Sequence, residues 1–398
     1  MLNPRLDLLT DYPFQRLSAL LHGPAGDDAP LVMSIGEPQH RPPAFVAEIL
    51  AREAAGWGKY PPMTGTPEFR AAVARWLTYR FALPIGELDM DKHIIPLAGT
   101  REGLFQIAQL VCGGAMGGKP PVVLLPNPFY QVYAGAALLA GAEPVFVPAT
   151  KDTGFLPDFA GLPKDILDRA ALAYLCTPAN PQGAVASLAL LKDTIELARR
   201  HDFVLAVDEC YSEIYEGDLA PAGALQACAE LGGDYANVVV FHSLSKRSSA
   251  PGLRSGFAAG DARLIAAFGR LRAYGGAAIP LPILAASAAL WRDEDHVEVN
   301  RGLYRNKFTI AHEILGDSLG FYRPQGGFFL WLDVGDGEKA ALALWQKAGI
   351  RVLPGAYLAR PGADGVNPGQ RYIRVALVHD LDTTRQGLTR LAEVLVTA

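Results

Sequence analysis

Six short apolar runs, Val122–Leu125, Val145–Val147, Leu172–Cys176, Val204–Val207, Val238–Phe241 and Gly256–Ala259, recur in the middle of the chain. Each is continuously apolar rather than alternating, the pattern of a strand covered on both faces. Around and between them lie stretches of helical spacing: Glu68–Arg80, Glu102–Val111, Tyr130–Ala140 and Leu188–His201, the last preceded by Ser187 as an N-cap. Strands alternating with helices predict an α/β fold, a mostly parallel sheet wrapped by helices. After Ala278 the pattern changes. A helical region runs from about Leu281 to Leu315, and an alternating strand follows the glycine pair Gly326-Gly327. Helices near Lys339–Ala348 and Leu381–Val396 complete an α+β unit. A chain of 398 residues exceeds the size at which one core keeps growing. Two domains are therefore expected: a large one over 45–280, and a smaller one formed by 1–44 together with 281–398. The loop 360–370, with two prolines and three glycines, is expected to be exposed.

Charge and composition exclude several classes. The net charge of −5 offers no basic field for nucleic acid. No apolar run approaches the ~20 residues needed to cross a bilayer. The first residues, Leu2 to Asp7, lack the apolar core of a secretion signal, so a cytoplasmic enzyme is expected. Four scattered cysteines, Cys112, Cys176, Cys210 and Cys228, contain no Cys-x-x-Cys pair, and neither a metal site nor a disulfide framework is expected.

The chemistry concentrates at Ser243-Leu244-Ser245-Lys246, directly after an apolar run, with Arg254 eight positions later. A turn of this kind presents an amine beside hydroxyl donors, and an arginine fork can return there to hold a phosphate dianion. An amine next to a phosphate site is what pyridoxal phosphate requires, because a lysine must bond covalently to the cofactor aldehyde. Other stations stand at matching positions. Asn180 opens Asn-Pro-Gln-Gly after the run ending at Cys176, Asp208 ends another run, and Tyr211 follows three residues on. The cofactor works as an electron sink only while its ring nitrogen stays protonated, and a buried carboxylate at a strand end, Asp208, suits that task. Arg374, in Tyr372-Ile373-Arg374-Val375, is the candidate for a substrate α-carboxylate, whose charge a bidentate fork matches and whose orientation it fixes. Leu97-Ala98-Gly99-Thr100-Arg101 opens a predicted helix whose free N–H groups favour an anion.

This ordered set resembles the fold-type I pyridoxal phosphate enzymes of the aspartate aminotransferase family. The resemblance implies that Lys246, Asp208 and Tyr211 are catalytic. It implies that Tyr211 and Asn180 contact the cofactor's phenolic oxygen, and that Gly99, Thr100 and Arg101 form the phosphate cup through main-chain donors, helped by Ser243, Ser245 and Arg254. Tyr130 resembles the aromatic residue that stacks on the cofactor ring, with Phe129 its nearest rival. Gly36 resembles the glycine lying over the substrate, beside Asn180 and Arg374. Tyr60 resembles the tyrosine that reaches the neighbouring subunit's phosphate, which implies a homodimer with shared active sites.

Longer segments narrow the resemblance. Ser34-Ile35-Gly36-Glu37-Pro38-Gln39-His40, Pro126–Gln131, Asp208–Glu213, Phe241–Ser248 and Val366-Asn367-Pro368-Gly369 are similar to the proteobacterial succinyldiaminopimelate aminotransferases. That likeness implies glutamate as amino donor and a succinylated keto acid as acceptor, in lysine biosynthesis through diaminopimelate, with a side-chain pocket around Tyr12, Phe14, Gln39 and Gly275. Two residues depart from the family pattern: Gln182 where threonine is usual, and Gly275 where a histidine is usual. No arginine near Pro280 serves as the distal-carboxylate reader of the aspartate enzymes. Acetylornithine- or aspartate-type aminotransferases and a carbon–sulfur lyase of the same fold remain alternatives. A nicotinamide dehydrogenase does not, since no Gly-x-Gly-x-x-Gly follows any strand candidate.

Overall fold

The computed structural model describes residues 2–26, 29–362 and 365–396. Part of the loop expected at 360–370, residues 363 and 364, therefore lies outside the described residues. After a short β1 (Leu31–Val32), the chain supplies β2 (Ile94–Leu97), β3 (Val122–Asn127), β4 (Glu143–Pro148), β5 (Ala170–Cys176), β6 (Val204–Asp208), β7 (Val238–Ser243) and β8 (Gly256–Gly260). The last four are β9 (Phe329–Asp333), β10 (Ile350–Arg351), β11 (Leu353–Pro354) and β12 (Tyr372–Ala376). Strands β2 to β8 form one sheet in the order β2-β8-β7-β6-β5-β3-β4. Every ladder in it is parallel except those of β8, which runs against both its neighbours.

The continuous apolar runs are explained by the two faces of this sheet. Val122, Leu124, Leu175, Leu205 and Val240 enter one core with Trp76, Leu191 and Trp291. Their neighbours Val123, Leu125, Tyr174, Ala206 and Phe241 enter the other, with Leu104, Ile107 and Phe268. Side chains alternate faces along a strand, so burial on both faces leaves no polar position. The edge strand β2 has no counterpart among the runs read from sequence. It contains Pro96, which cannot donate to a ladder and is tolerated at an edge.

Two other expectations need correction. The helical region from Leu281 is two helices, Leu281–Arg292 and Asp295–Leu315. Asp293 is extended between them, and its carboxylate accepts from the His296 N–H in the first turn of the second. The first packs beside the helix Pro67–Arg80, with Leu284 and Trp291 in the core that holds Trp76. The strand after Gly326-Gly327 is not half-exposed: Phe328 through Leu332 are all buried. Leu330 and Leu332 meet Met33 and Phe308 on one side, whereas Phe329 joins Tyr211 and Trp331 joins Leu353 on the other.

In the sheet order, β3 and β5 are neighbours, with connections leaving toward β4 on one side and β6 on the other. Their C-terminal ends mark the topological switch point, where open α/β sheets place ligands.

Candidate active site

A cavity of about 420 Å³ opens at those strand ends. Among its walls are Gly36, Thr100, Arg101, Tyr130, Asn180, Asp208, Tyr211, Ser243, Ser245, Lys246, Arg254 and Arg374, brought together from across the chain.

Lys246 stands on the single-turn helix Leu244–Arg247 that leaves β7, with Ser243 as its N-cap. Its Nζ lies 5.3 Å from the Phe328 ring and 5.9 Å from that of Tyr211, and donates to the Gly36 carbonyl at 2.5 Å. Burial pushes the amine down to about 8 from the usual lysine range.

Asp208 ends β6 and is 5% exposed. Its Oδ2 accepts the Tyr133 hydroxyl at 2.7 Å, and Oδ1 accepts the Cys210 N–H at 3.3 Å. Burial pushes the carboxyl up, and hydrogen bonds from Cys210 and Tyr133 pull it back toward the ionised form. Tyr133 was not among the residues singled out from sequence. It lies within the apolar helix Gln131–Leu139, fully buried, with its ring stacked 4.4 Å from that of Tyr174. The one available signal was chemical: a tyrosine in an apolar run needs a partner for its hydroxyl.

A cradle of hydrogen-bond donors is assembled from three directions. The helix Thr100–Val111 points its N-terminus into the cavity behind Gly99. A Cβ on Gly99 would stand 2.1 Å from Arg254 Nη2, and its φ of +85° disfavours any side chain. Arg254 is held by the Pro251 carbonyl at 2.9 Å, and none of its hydrogen bonds among the described residues goes to a carboxylate. Ser243 and Ser245 set their hydroxyls 3.0 Å apart. Two hydroxyls, helix-terminal N–H groups and an arginine without a counter-ion are a donor set that fits a phosphate dianion.

Arg374 projects from β12 and is 5% exposed. It donates to the Asn180 side-chain oxygen at 3.1 Å and to the Ser34 carbonyl at 2.7 Å, while its Nε is buried without a partner. The guanidinium lies 4.2 Å from the Phe329 ring centre. Burial lowers it to about 10. A buried cation with neutral partners and one unanswered donor is arranged for an incoming carboxylate. Gly36 sits over the same floor, where a Cβ would come 2.6 Å from Phe329.

Tyr130 faces the cavity with its hydroxyl accepting from Arg101 Nε at 2.7 Å; burial raises the phenol to about 12. Phe129, its rival, also touches the cavity but is 1% exposed and packs 5.0 Å from Phe146. Tyr60 is fully exposed at 102% and takes no part in the cavity of its own chain. Tyr12 and Phe14 line the cavity, whereas Gln39 and Gly275 do not. Gly275 ends the helix Ala262–Gly275, its carbonyl accepting from Gln106. Gln182 is buried, donates to the Ala149 carbonyl at 3.2 Å and does not line the cavity. Among the described residues there is no cluster suited to a metal ion, and no helix long and apolar enough to cross a membrane.

Comparison with known proteins places this geometry. The family model for class I and II aminotransferases matches residues 29–391. Among solved structures, an aminotransferase from Neisseria meningitidis superposes with a TM-score of 0.93 at 40% identity, over 99% of this chain and 100% of that one. The aminotransferase AspB of Helicobacter pylori gives 0.90 at 38% identity, over 98% and 99%. Among curated relatives, the LL-diaminopimelate aminotransferase of Dehalococcoides mccartyi is 31% identical over 401 residues, 98% of each chain.

Proposed function

Since this chain belongs to the class I and II aminotransferases, which depend on pyridoxal phosphate, we propose that it moves an amino group between glutamate and a diaminopimelate-type keto acid. The acceptor favoured by the sequence resemblance is N-succinyl-2-amino-6-oxopimelate. The observation that carries the substrate reading is the pairing of two arginines in one cavity. Arg374 is buried with a spare donor for the α-carboxylate, and Arg101 stands exposed against Tyr130 to meet a second, distal acid.

The cofactor, when bound, supplies an electron sink and a carbon that holds the amino group between half-reactions. The chain's residues do the rest. Ser243, Ser245, Arg254 and the N–H groups after Gly99 hold the phosphate. Asp208, kept in place by Tyr133, sets a negative charge where the ring nitrogen must stay protonated. Arg374 and Asn180 fix the substrate carboxylate, orienting the Cα–H bond toward Lys246. Lys246 Nζ, softened by burial to about 8, takes that proton and returns it. Tyr211, on the wall of the same cavity, would donate its hydroxyl to the cofactor's phenolic oxygen. Tyr60 reaches the phosphate of a second subunit, completing the site in a dimer.

A second reading has its own support: the curated relatives are named for free LL-diaminopimelate rather than a succinylated substrate. Coupled assays with glutamate as donor separate the two. The succinylated keto acid should give the highest kcat/KM. A higher value with the unsubstituted diaminopimelate skeleton would transfer the assignment to that substrate, and a higher value with oxaloacetate would remove both.

A further inference from the structure

Lys307 lies in the middle of the helix Asp295–Leu315 with no exposed surface. Among the described residues it forms no ion pair, and its Nζ donates instead to the Leu377 carbonyl at 3.1 Å and to His40 Nε2 at 2.7 Å. His40 Nδ1 is 2.7 Å from the Asn300 side-chain oxygen, which also accepts from Ser249 at 3.0 Å. Asn300 Nδ2 donates to the carbonyls of Lys246 at 3.2 Å and Arg247 at 3.3 Å. Carbonyls only accept, so the amide orientation is settled. Its oxygen then requires a donor at His40 Nδ1, which leaves the Nε2 lone pair facing Lys307. The tautomer follows from the connectivity.

This chain of contacts ends on the catalytic machinery. The segment Ser34–His40 is tied at three points: Ser34 holds Arg374, the Gly36 carbonyl receives Lys246 Nζ, and His40 is pinned through Asn300 to the backbone of Lys246. We propose that His40 and Lys307 are positioning residues, and that the hydrogen bond from Lys307 Nζ to His40 Nε2 latches the Ser34–His40 segment onto the turn carrying Lys246. The amine donates to Nε2 whether charged or neutral, so long as Nε2 carries no proton. A proton on Nε2 beside the charged amine places N–H donors face to face and breaks the contact. The groups facing the pair are few: the Tyr304 ring, 4.7 Å from both Lys307 Nζ and the imidazole, and the carboxylate of Asp380 beyond the Leu377 end. Burial lowers both members, Lys307 to about 7. The inference needs only the transamination common to the family, not the acceptor proposed above.

The test is steady-state kinetics of the holoenzyme with Lys307→Met, using whichever amino donor the wild type turns over best. Loosening the segment frees the Arg374 anchor. The KM for the donor should therefore rise about tenfold with kcat changed less than threefold, the split expected when binding rather than chemistry is lost. The wild-type rise in KM on the acid side should flatten in the variant. Wild-type kinetic constants and an intact acid limb, even with a lowered melting temperature, would overturn the proposal. If the variant does not fold, ¹⁵N NMR of the wild-type imidazoles decides, with His40 assigned by His40→Gln. His40 should stay protonated at Nδ1 and bare at Nε2 down to about pH 6. An ordinary titration near 6.5 would equally overturn it.

Discussion

At the scale of single residues, the charge of Asp208 is set by its neighbours. Its burial favours the neutral acid, and hydrogen bonds from Cys210 and from the Tyr133 hydroxyl, the latter at 2.7 Å, oppose it. A hydrogen bond to a charged group contributes about 1.5–3 kcal/mol. Tyr133→Phe should accordingly lower kcat by about tenfold to a hundredfold while the stacked ring keeps the helix in place. Rapid-quench measurement of one half-reaction checks it; unchanged turnover would make Tyr133 a packing residue. Much of this site was legible from the chain. Lys246, Asp208, Asn180 and Tyr211 stand at or just beyond strand ends, and Arg374 interrupts the apolar run inside β12, so each stands out as a polar break. Tyr133 and the His40–Asn300–Lys307 contacts did not stand out. The first hides in an apolar helix, and the others are separated by 260 residues or more, so only the folded chain shows that they meet.

At the scale of elements, the start of the helix Thr100–Val111 is the proposed phosphate site, and its geometry depends on having no side chain at Gly99. Gly99→Ala forces a Cβ onto the Arg254 guanidinium at a left-handed φ. Cofactor affinity, followed by titrating the apoprotein with pyridoxal phosphate, should fall at least tenfold, while far-UV circular dichroism stays unchanged. Equal affinity would remove Gly99 from the cradle. The elements themselves were read with uneven success, for a physical reason. Central strands, buried on both faces, produce unbroken apolar runs. The edge strand β2 is interrupted by proline, and the two-residue strands β1, β10 and β11 are shorter than any period they could show. The division of the chain at about residue 280 remains a proposal. The helix Leu281–Arg292 contributes Trp291 and Leu284 to the core beneath the large sheet.

At the scale of the molecule, two buried lysines impose a pH dependence on folding. Lys307 and Lys246 are lowered to about 7 and about 8, against a usual value near 10.5. In the window between those values the unfolded chain binds more protons than the folded one, so stability rises with pH there. The apoprotein should thus melt at a higher temperature at pH 9 than at pH 7, and Lys307→Met should flatten that rise. A wild-type melting temperature that falls over this interval would contradict the assignment. The proposed dimer has its own test, resting on the exposure of Tyr60. Mixed Lys246→Ala and Tyr60→Phe subunits should regain activity, because each hybrid holds one site with neither change. A fully active monomer in sedimentation would end the proposal.

The single reversed strand of the large sheet has a consequence for how cheaply the site is assembled. Because β8 runs backward, its beginning lies beside the end of β7, with Gly256 paired to Ser243. Lys246 and Arg254 are thus set on one closed hairpin loop, residues 244 to 255, while Arg374 arrives 120 positions after Arg254. Closing a loop of that short length costs about 2 kcal/mol in chain entropy, against about 4 for the longer one. The amine and its phosphate anchor therefore form a local unit whose spacing survives rearrangement elsewhere. The proposed carboxylate reader on β12 stands outside that unit, so substitutions around it can change substrate range without altering the loop proposed to grip the cofactor.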